Sequence, residues 1–109
     1  MKLMMRMIMR FVPGKLAEGR KLLGEFLASM KKHETFPATS ARTYTPWIGG
    51  GDAMHTIIME FDMDSLTQMA EFFEKAWVDP ELMGTMSQWD AIEESHRVEL
   101  YMVVPETPA

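Results

Sequence analysis

Two arginines interrupt the methionine-rich opening stretch MKLMMRMIMRFVP, and they are the first residues of the chain that could take part in chemistry. Arg6 and Arg10 could orient an anionic ligand or stabilise negative charge that develops during a reaction, because a guanidinium is always charged and has several donors. Tyr101 and Tyr44 carry hydroxyl groups that could donate a hydrogen bond to a ligand oxygen. These residue types suit a small anionic or carbonyl-bearing molecule.

Three histidines are present, and two of them are candidates for moving a proton. His96 and His55 each stand at the start of a predicted strand, and an ordinary imidazole titrates at about pH 6.5, which suits a general base. A histidine at a strand end is also commonly a surface residue, so both interpretations stay open. His33 follows two lysines at the end of a predicted helix, where the helix dipole favours a cation, and this structural role is sufficient to explain it.

No metal or cofactor is expected from the residues present. Cysteine is absent and no His-x-His or His-Glu-x-x-His pattern occurs, so the sequence offers no preformed zinc site. Met5, Met7 and Met9 have a spacing conceivable for copper(I), but they share a strand face with apolar neighbours, which favours core packing. The Gly-Gly-Gly-Asp run at 49–52 lies between two predicted strands, whereas a phosphate-binding loop leads into a helix.

Length and charge limit the class of protein further. The 109 residues are the size of one domain, for which we expect bounds of 1–104 followed by a flexible, proline-marked tail at 105–109. A formal net charge of −5 opposes nucleic-acid binding, which needs a basic surface. No stretch approaches the roughly 20 apolar residues that cross a bilayer, and the opening stretch lacks the pattern of a signal peptide. The absence of cysteine fits a cytoplasmic protein.

Hydrophobic periodicity predicts elements in the order β-α-β-β-α-β. The opening segment alternates with period two until Pro13-Gly14, and Asp79-Pro80 pairs a helix cap with a residue suited to the first helical position. The predicted strands are residues 2–12, 42–47, 55–61 and 96–104, and the predicted helices are 15–32 and 64–94, the latter broken at 79–80. This order is the ferredoxin-like α+β pattern, a four-stranded antiparallel sheet with the helices on one face. By analogy with that fold the strand order is 4-1-3-2, and the opening strand is central.

The opening strand has two different faces. One is apolar and suits packing under the helices: Leu3, Met5, Met7, Met9 and Phe11. The other carries Arg6 and Arg10, and the neighbouring strands would present Glu60 and Glu99 as charge partners, with Tyr101 nearby. This second face is also half apolar through Met4, Ile8, Val12, Ile58 and Val103. Simple exposure to water is one explanation. We expect instead that the face is enclosed in a homodimer, around a cavity that accommodates a ligand.

Three short motifs add a family resemblance: Pro-Gly-Lys at 13–15, Arg-Thr-Tyr at 42–44 and Lys-Ala-Trp-Val-Asp-Pro-Glu at 75–81. Together with the order of elements over nearly the whole chain, they resemble the NIPSNAP-like branch of the dimeric α+β barrel superfamily, in which two four-stranded sheets face each other. The superfamily includes cofactor-independent monooxygenases, polyketide cyclases, haem-degrading enzymes and proteins of unknown role. The resemblance implies a pocket between sheet and helices, or within the barrel. Trp77 is among the aromatic residues that could wall a pocket, and packing in the core or in a dimer interface explains it equally well.

Two functional hypotheses follow. In the first, the protein is a homodimer that binds a small organic molecule and acts as a cofactor-independent monooxygenase or cyclase on an aromatic or polyketide-like substrate. Arg6 and Arg10 would then hold negative charge, Tyr101 would donate a hydrogen bond, and His96 or His55 would move a proton. In the second, the protein is a non-catalytic NIPSNAP-like structural or interaction module whose arginines are locked in ion pairs. Haem is not expected, because no histidine lies in the second helical region, where haem-degrading relatives place theirs.

Overall fold

The central strand of the sheet is β1, Leu3–Phe11, and its two faces differ as predicted. Leu3, Met5, Met9 and Phe11 are at most 6% exposed. They are buried beneath the helices, while the alternate residues face away from them. Met7 is only partly buried although it shares the apolar face. Period-two alternation in the opening stretch therefore reflects one strand with one buried side.

The computed structural model describes residues 2–34, 36–37 and 39–105. Within these residues a four-stranded antiparallel sheet has the order β2-β3-β1-β4, and three α-helices pack on one of its faces. The elements after β1 are α1 (Leu16–Met30), β2 (Arg42–Tyr44), β3 (Thr56–Met63), α2 (Leu66–Ala76), α3 (Pro80–Asp90) and β4 (Glu93–Met102). The predicted ferredoxin-like α+β fold is confirmed, including the central position of β1 and the broken second helix.

The connection between β2 and β3 differs from a simple hairpin. β2 ends at Tyr44, two residues before Pro46, which has no N–H for a sheet hydrogen bond. A short 3-10 helix, Gly51–His55, then precedes β3, and Gly51 adopts a φ of 57°, which glycine allows without strain. His55 therefore ends this 3-10 helix, and the prediction that it begins a strand is wrong.

Helix caps account for the break between α2 and α3. The Ser65 hydroxyl accepts a hydrogen bond from the backbone N–H of Gln68 (3.1 Å) at the start of α2. Asp79 accepts from the backbone N–H of Glu81 (2.9 Å) at the start of α3, and Pro80 occupies its first turn. Both predicted helix starts are confirmed. The predicted end near residue 94 is wrong, because α3 ends at Asp90 and the chain enters β4 at Glu93.

One apolar core lies between the sheet and the helices. Its largest fully buried side chains include Trp89, Phe11, Phe61, Phe72, Met9 and Met59. None of the helices in the described residues combines the length and the hydrophobicity that a membrane-spanning helix needs. Of the predicted flexible tail, residues 106–109 lie outside the described residues.

Candidate functional site

A crevice of about 350 Å³ opens between the helix-facing side of the sheet and the helices. Methionine and aromatic side chains form most of its wall, among them Met7, Met30, Met83, Met86, Phe73 and Trp77. Among the described residues that line it, only His96 has a titratable side chain. The volume lies within the range of roughly 300–1,000 Å³ that is usual for small-molecule sites, and the wall suits an apolar ligand.

His96 is held at this crevice by two residues near the start of β4. Its Nδ1 lies 3.2 Å from Oε2 of Glu93, and its ring stacks on the indole of Trp89 with 5.8 Å between ring centroids and 21° between planes. The indole Nε1–H of Trp89 donates to the same Oε2 of Glu93. The Glu93 side chain is 8% exposed and that of His96 is 28% exposed. The crevice is therefore apolar except for one imidazole, and the contacts with Glu93 and Trp89 fix the orientation of that ring.

Trp77 stands at the rim of the crevice, just after the end of α2. It lines the crevice and yet is 60% exposed. A large aromatic side chain in this position is available to cover a bound molecule. His96 and Trp77 are the predicted site residues that the fold brings to the crevice.

On the opposite face of the sheet, Arg6 lies between two glutamates. Its Nε donates to Oε2 of Glu60 at 2.7 Å, and its Nη1 lies 4.0 Å from Oε1 of Glu99. The Tyr44 hydroxyl donates to Glu60 (3.1 Å), and the Tyr101 hydroxyl donates to Glu99 (2.9 Å). The prediction that Arg6 faces both glutamates across the sheet is confirmed by the strand register.

These contacts shift the pKa values of two side chains on the sheet face that points away from the helices, which we call the open face. The hydrogen bond to Glu60 raises the pKa of the Arg6 guanidinium, because it favours the charged form. The hydrogen bond to Glu99 raises the pKa of Tyr101, because the phenol must lose the proton that it donates. The Arg6 guanidinium carbon also lies 5.5 Å from the centre of the Tyr101 ring. Nε of Arg97 also lies 3.1 Å from Oε2 of Glu99, so at neutral pH two arginines and two glutamates are paired on this face.

Arg10 belongs to a different group of charges. Its Nη1 donates to Oδ2 of Asp52 at 2.6 Å, and its Nε lies 3.3 Å from Oε2 of Glu94 without hydrogen-bond geometry. Glu60 and Glu99, the predicted partners, instead face Arg6. The reason is distance along the strand: four residues separate the two arginines by roughly 13 Å. The expectation that one pair of glutamates serves both arginines is therefore wrong.

The predicted catalytic residues do not share one site. His96 pairs with Met9 and so faces the helices, whereas Tyr101 pairs with Met4 and faces away from them with Arg6. An odd separation along a regular strand has this effect, because successive side chains point to opposite faces. His55, in the 3-10 helix, is not among the residues that line the crevice. The histidine and the arginines are thus on opposite sides of the sheet.

The sequence pattern did not indicate several of the residues at these sites. Glu93 was expected in a helix, and Asp52 lies in a connection between strands. Met83 and Met86 line the crevice and are three residues apart on α3, a spacing that places them on one helix face. Within the described residues, no group of three or more histidine, aspartate or glutamate side chains could hold a metal ion.

Comparisons with known proteins place this fold among characterised structures. No protein-family profile matches the sequence, and no curated protein matches it. A crystal structure of a NIPSNAP family protein from Agrobacterium tumefaciens is similar with a TM-score of 0.78 at 18% identity, covering 99% of this chain and 98% of that one. An uncharacterised NIPSNAP domain protein from Burkholderia xenovorans has a TM-score of 0.72 at 18% identity over 100% of both chains.

Enzymes with the same fold are also similar. SnoaB, a cofactor-independent oxygenase from Streptomyces nogalater, has a TM-score of 0.68 at 9% identity, covering 99% of this chain and 98% of that one. The chain therefore has the fold of NIPSNAP family proteins and of monooxygenase-like α+β barrel proteins. The resemblance to the NIPSNAP-like branch is confirmed as a likeness of fold, and at these identities the likeness extends no further.

Proposed function

We propose that this protein binds a small, mainly apolar organic molecule in the crevice and acts on it as a cofactor-independent monooxygenase or cyclase, with an aromatic or polyketide-like substrate. The observation that carries this proposal is the crevice of about 350 Å³, apolar except for His96. Such a cavity stabilises a hydrophobic ligand by removing its surface from water. The structural neighbour SnoaB is a cofactor-independent oxygenase, which supports the reaction class.

His96 is the residue best placed to begin either reaction, as a general base. Removal of a proton from an activated carbon gives an anion that, in a cyclisation, attacks a carbonyl carbon of the same molecule. The C=O π bond breaks, and its oxygen takes back the proton held by His96. In monooxygenation the second reactant is dioxygen: one oxygen atom enters the substrate as a carbonyl group, and the other leaves as water with the two hydrogens of the oxidised methylene. An apolar cavity also keeps bulk water away from the reactive anion.

The open face of the sheet, by contrast, suits contact with a second copy of the chain. Arg6 and Arg10 each have two carboxylates nearby, so an anionic ligand would have to displace one of these partners. These ion pairs place charges of both signs on a face that also carries Ile8 and Ile58. We assign this face, with Tyr44, to self-association, and we place the protein in the cytoplasm, which the absence of cysteine supports.

The same ion pairs favour a second candidate function, a non-catalytic structural or interaction module. In that case the arginines serve only to hold the sheet face together, and the crevice need not bind any molecule. The two candidates differ in one measurable property, which is occupancy of the crevice by an apolar ligand.

Binding of the uncharged dye Nile red, followed by fluorescence, tests the proposal. We expect one dye per chain, and we expect Met86→Trp to weaken binding about tenfold or more, because the larger ring fills the crevice. Gln88→Trp, on the exposed side of the same helix, is the matched control and should bind like the wild type. Equal binding by both variants, or no binding by the wild type, would favour the interaction module.

Catalysis needs a separate measurement. Polycyclic phenols and aromatic ketones with an acidic methylene should be converted in air without added cofactor, with consumption of dioxygen in the case of oxygenation. We expect His96→Gln to reduce the rate about a hundredfold or more, the usual contribution of a general base. His55→Gln is the matched control and should keep the wild-type rate.

A further inference from the structure

We infer that Glu93 and Trp89 are positioning residues that fix His96 as a base with its free nitrogen toward the crevice, and that the ligand is an apolar carbon acid or phenol. The inference rests on the proposed function in one respect, which is that the crevice holds a ligand. It goes beyond that function by naming the two residues that fix the tautomer and the orientation of the base.

A β-bulge brings Glu93 and His96 to the same side of the sheet. Phe11 of β1 pairs with Glu93, but its neighbour Arg10 pairs with Ser95, so Glu94 is an extra residue in β4. In a regular strand, residues three apart point to opposite faces. The extra residue reverses this, and both side chains face the helices. Bulges are frequent beside active sites, where they redirect a side chain.

The contacts of Glu93 determine which nitrogen of His96 carries the proton. Oε2 of Glu93 lies 3.2 Å from Nδ1 of His96 and also accepts from the indole N–H of Trp89. A carboxylate only accepts hydrogen bonds, so Nδ1 of a neutral imidazole must be the protonated nitrogen. Nε2 then carries the lone pair, and no described residue forms a hydrogen bond with it.

Burial of the supporting residues makes this arrangement rigid. Trp89 is 1% exposed and packs edge-on against Phe26, with 5.0 Å between ring centroids. The imidazole of His96 stacks on the same indole. Trp89 therefore holds both the ring of the base and the carboxylate behind it. Neither other histidine has such a setting: His55 does not line the crevice, and His33 contacts the helix-capping Asp79.

The step that this geometry supports is a single proton transfer. A C–H or O–H bond of the ligand breaks, its proton moves to Nε2 of His96, and its electron pair stays on the ligand as a delocalised anion. His96 becomes a cation between that anion and the Glu93 carboxylate, which stabilises it. No oxidant is consumed. The remaining crevice wall is apolar, so the acidic proton must belong to a phenol or to a methylene activated by a carbonyl or aromatic group.

The tautomer of His96 is the first test, because the contact with the Glu93 carboxylate requires the Nδ1–H form. A purely structural role for Glu93 would leave the rate of proton exchange, measured in the second test, unchanged. Nitrogen-15 NMR at about pH 9, well above the ordinary imidazole titration, distinguishes protonated from unprotonated ring nitrogens. We expect the Nδ1–H form in the wild type and in Glu94→Ala, the matched control one residue away. We expect loss of this preference in Glu93→Ala. An Nε2–H tautomer in the wild type would overturn the inference.

Proton exchange of 2-indanone, an apolar ketone with activated methylenes, is the second test. In D₂O we expect the wild type to accelerate deuterium incorporation. His96→Gln should lose this acceleration about a hundredfold and Glu93→Gln about tenfold, whereas Glu94→Gln should keep it. Trp89→Phe provides a second positioning variant if Glu93→Gln fails to fold, with an expected loss of about tenfold.

The two proposals fail in different ways. Nile red binding without accelerated exchange would overturn the assignment of His96 as a positioned base and leave ligand binding in place. If His96 has the Nδ1–H tautomer but the crevice binds no dye, the proposed function is overturned. If, in addition, the wild type exchanges the protons of 2-indanone no faster than His96→Gln does, the inference of a carbon-acid ligand is overturned as well.

Discussion

Nε2 of His33 lies 2.7 Å from Oδ2 of Asp79, and this contact joins the end of α1 to the start of α3. The other carboxylate oxygen of Asp79 accepts from the backbone N–H groups of Glu81 and Leu82. One side chain thus caps a helix and ties it to a second helix. The His33 ring also contacts Phe72 edge-on, and Phe72 lines the crevice. The contact therefore supports one wall of the candidate site.

Acid should weaken the fold through Asp79. The hydrogen bond from His33, assisted by the backbone N–H groups, lowers the pKa of Asp79 below its ordinary value of 3.8. The unfolded chain therefore binds this proton more readily, so the stabilisation is complete above about pH 4 and is lost as pH falls through the folded value. Urea unfolding at pH 7, 4 and 3 should show a falling midpoint in the wild type.

Asp79→Asn isolates this effect, because asparagine is an equally good helix cap but carries no charge. We expect a lower urea midpoint than the wild type at pH 7 and a smaller drop between pH 4 and pH 3. Asp64→Asn, at an exposed aspartate before α2, is the control and should keep the wild-type drop. The same pH dependence in Asp79→Asn as in the wild type would contradict the role of this carboxylate.

Two glycines of α1 should respond in opposite directions to alanine. A Cβ on Gly19 would lie 2.8 Å from Cζ of Phe11, whereas a Cβ on Gly24 would meet no atom within 4 Å. Gly19→Ala should lower the free energy of unfolding by about 1–3 kcal/mol through overpacking. Gly24→Ala should raise it by about 0.5–1 kcal/mol, because alanine favours a helix. Chemical denaturation measures both, and a stabilising Gly19→Ala would show that α1 does not approach β1 as closely as described.

Strand faces could be predicted from sequence because period-two alternation and the ferredoxin-like order are both regular. Those two rules placed Glu60 and Glu99 opposite Arg6 and put Tyr101 on the same face. They failed for Arg10, whose partners come from irregular positions. Asp52 lies in a 3-10 helix and Glu94 is the bulged residue, and neither position follows strand alternation.

The Glu93–His96 pair could not be predicted for the same physical reason. The sequence Glu-Glu-Ser-His at 93–96 carries no glycine or proline that would indicate a bulge. The bulge is fixed by pairing with β1, a contact between residues more than eighty positions apart in the chain. Without it, Glu93 would point away from the crevice. The polar part of the candidate site therefore depends on tertiary pairing, whereas its apolar wall follows from local periodicity.

Two methionines on one face of β1 should differ in their tolerance of a charge. Met9 is fully buried, so Met9→Asp should lower the free energy of unfolding by about 4 kcal/mol or more. Met7 is partly buried and lines the crevice, so the carboxylate of Met7→Asp can reach water. We expect this variant to fold and to lose Nile red binding. Circular dichroism with dye titration measures both, and an unfolded Met7→Asp with a folded Met9→Asp would contradict the burial pattern.

Self-association should depend on the open face of the sheet. Ile8 lies between Arg6 and Arg10 on β1, and its cross-strand neighbours are Ile58 and Arg97. Sedimentation at micromolar concentration should give about twice the chain mass of 12.5 kDa for the wild type. Ile8→Lys should sediment as a monomer, because an added cation in the middle of the interface meets the same cation of the second copy.

Leu66→Lys, at an exposed apolar residue of α2, is the matched control and should remain a dimer. A wild-type monomer would contradict the assignment of this face, and a dimeric Ile8→Lys would place the interface elsewhere.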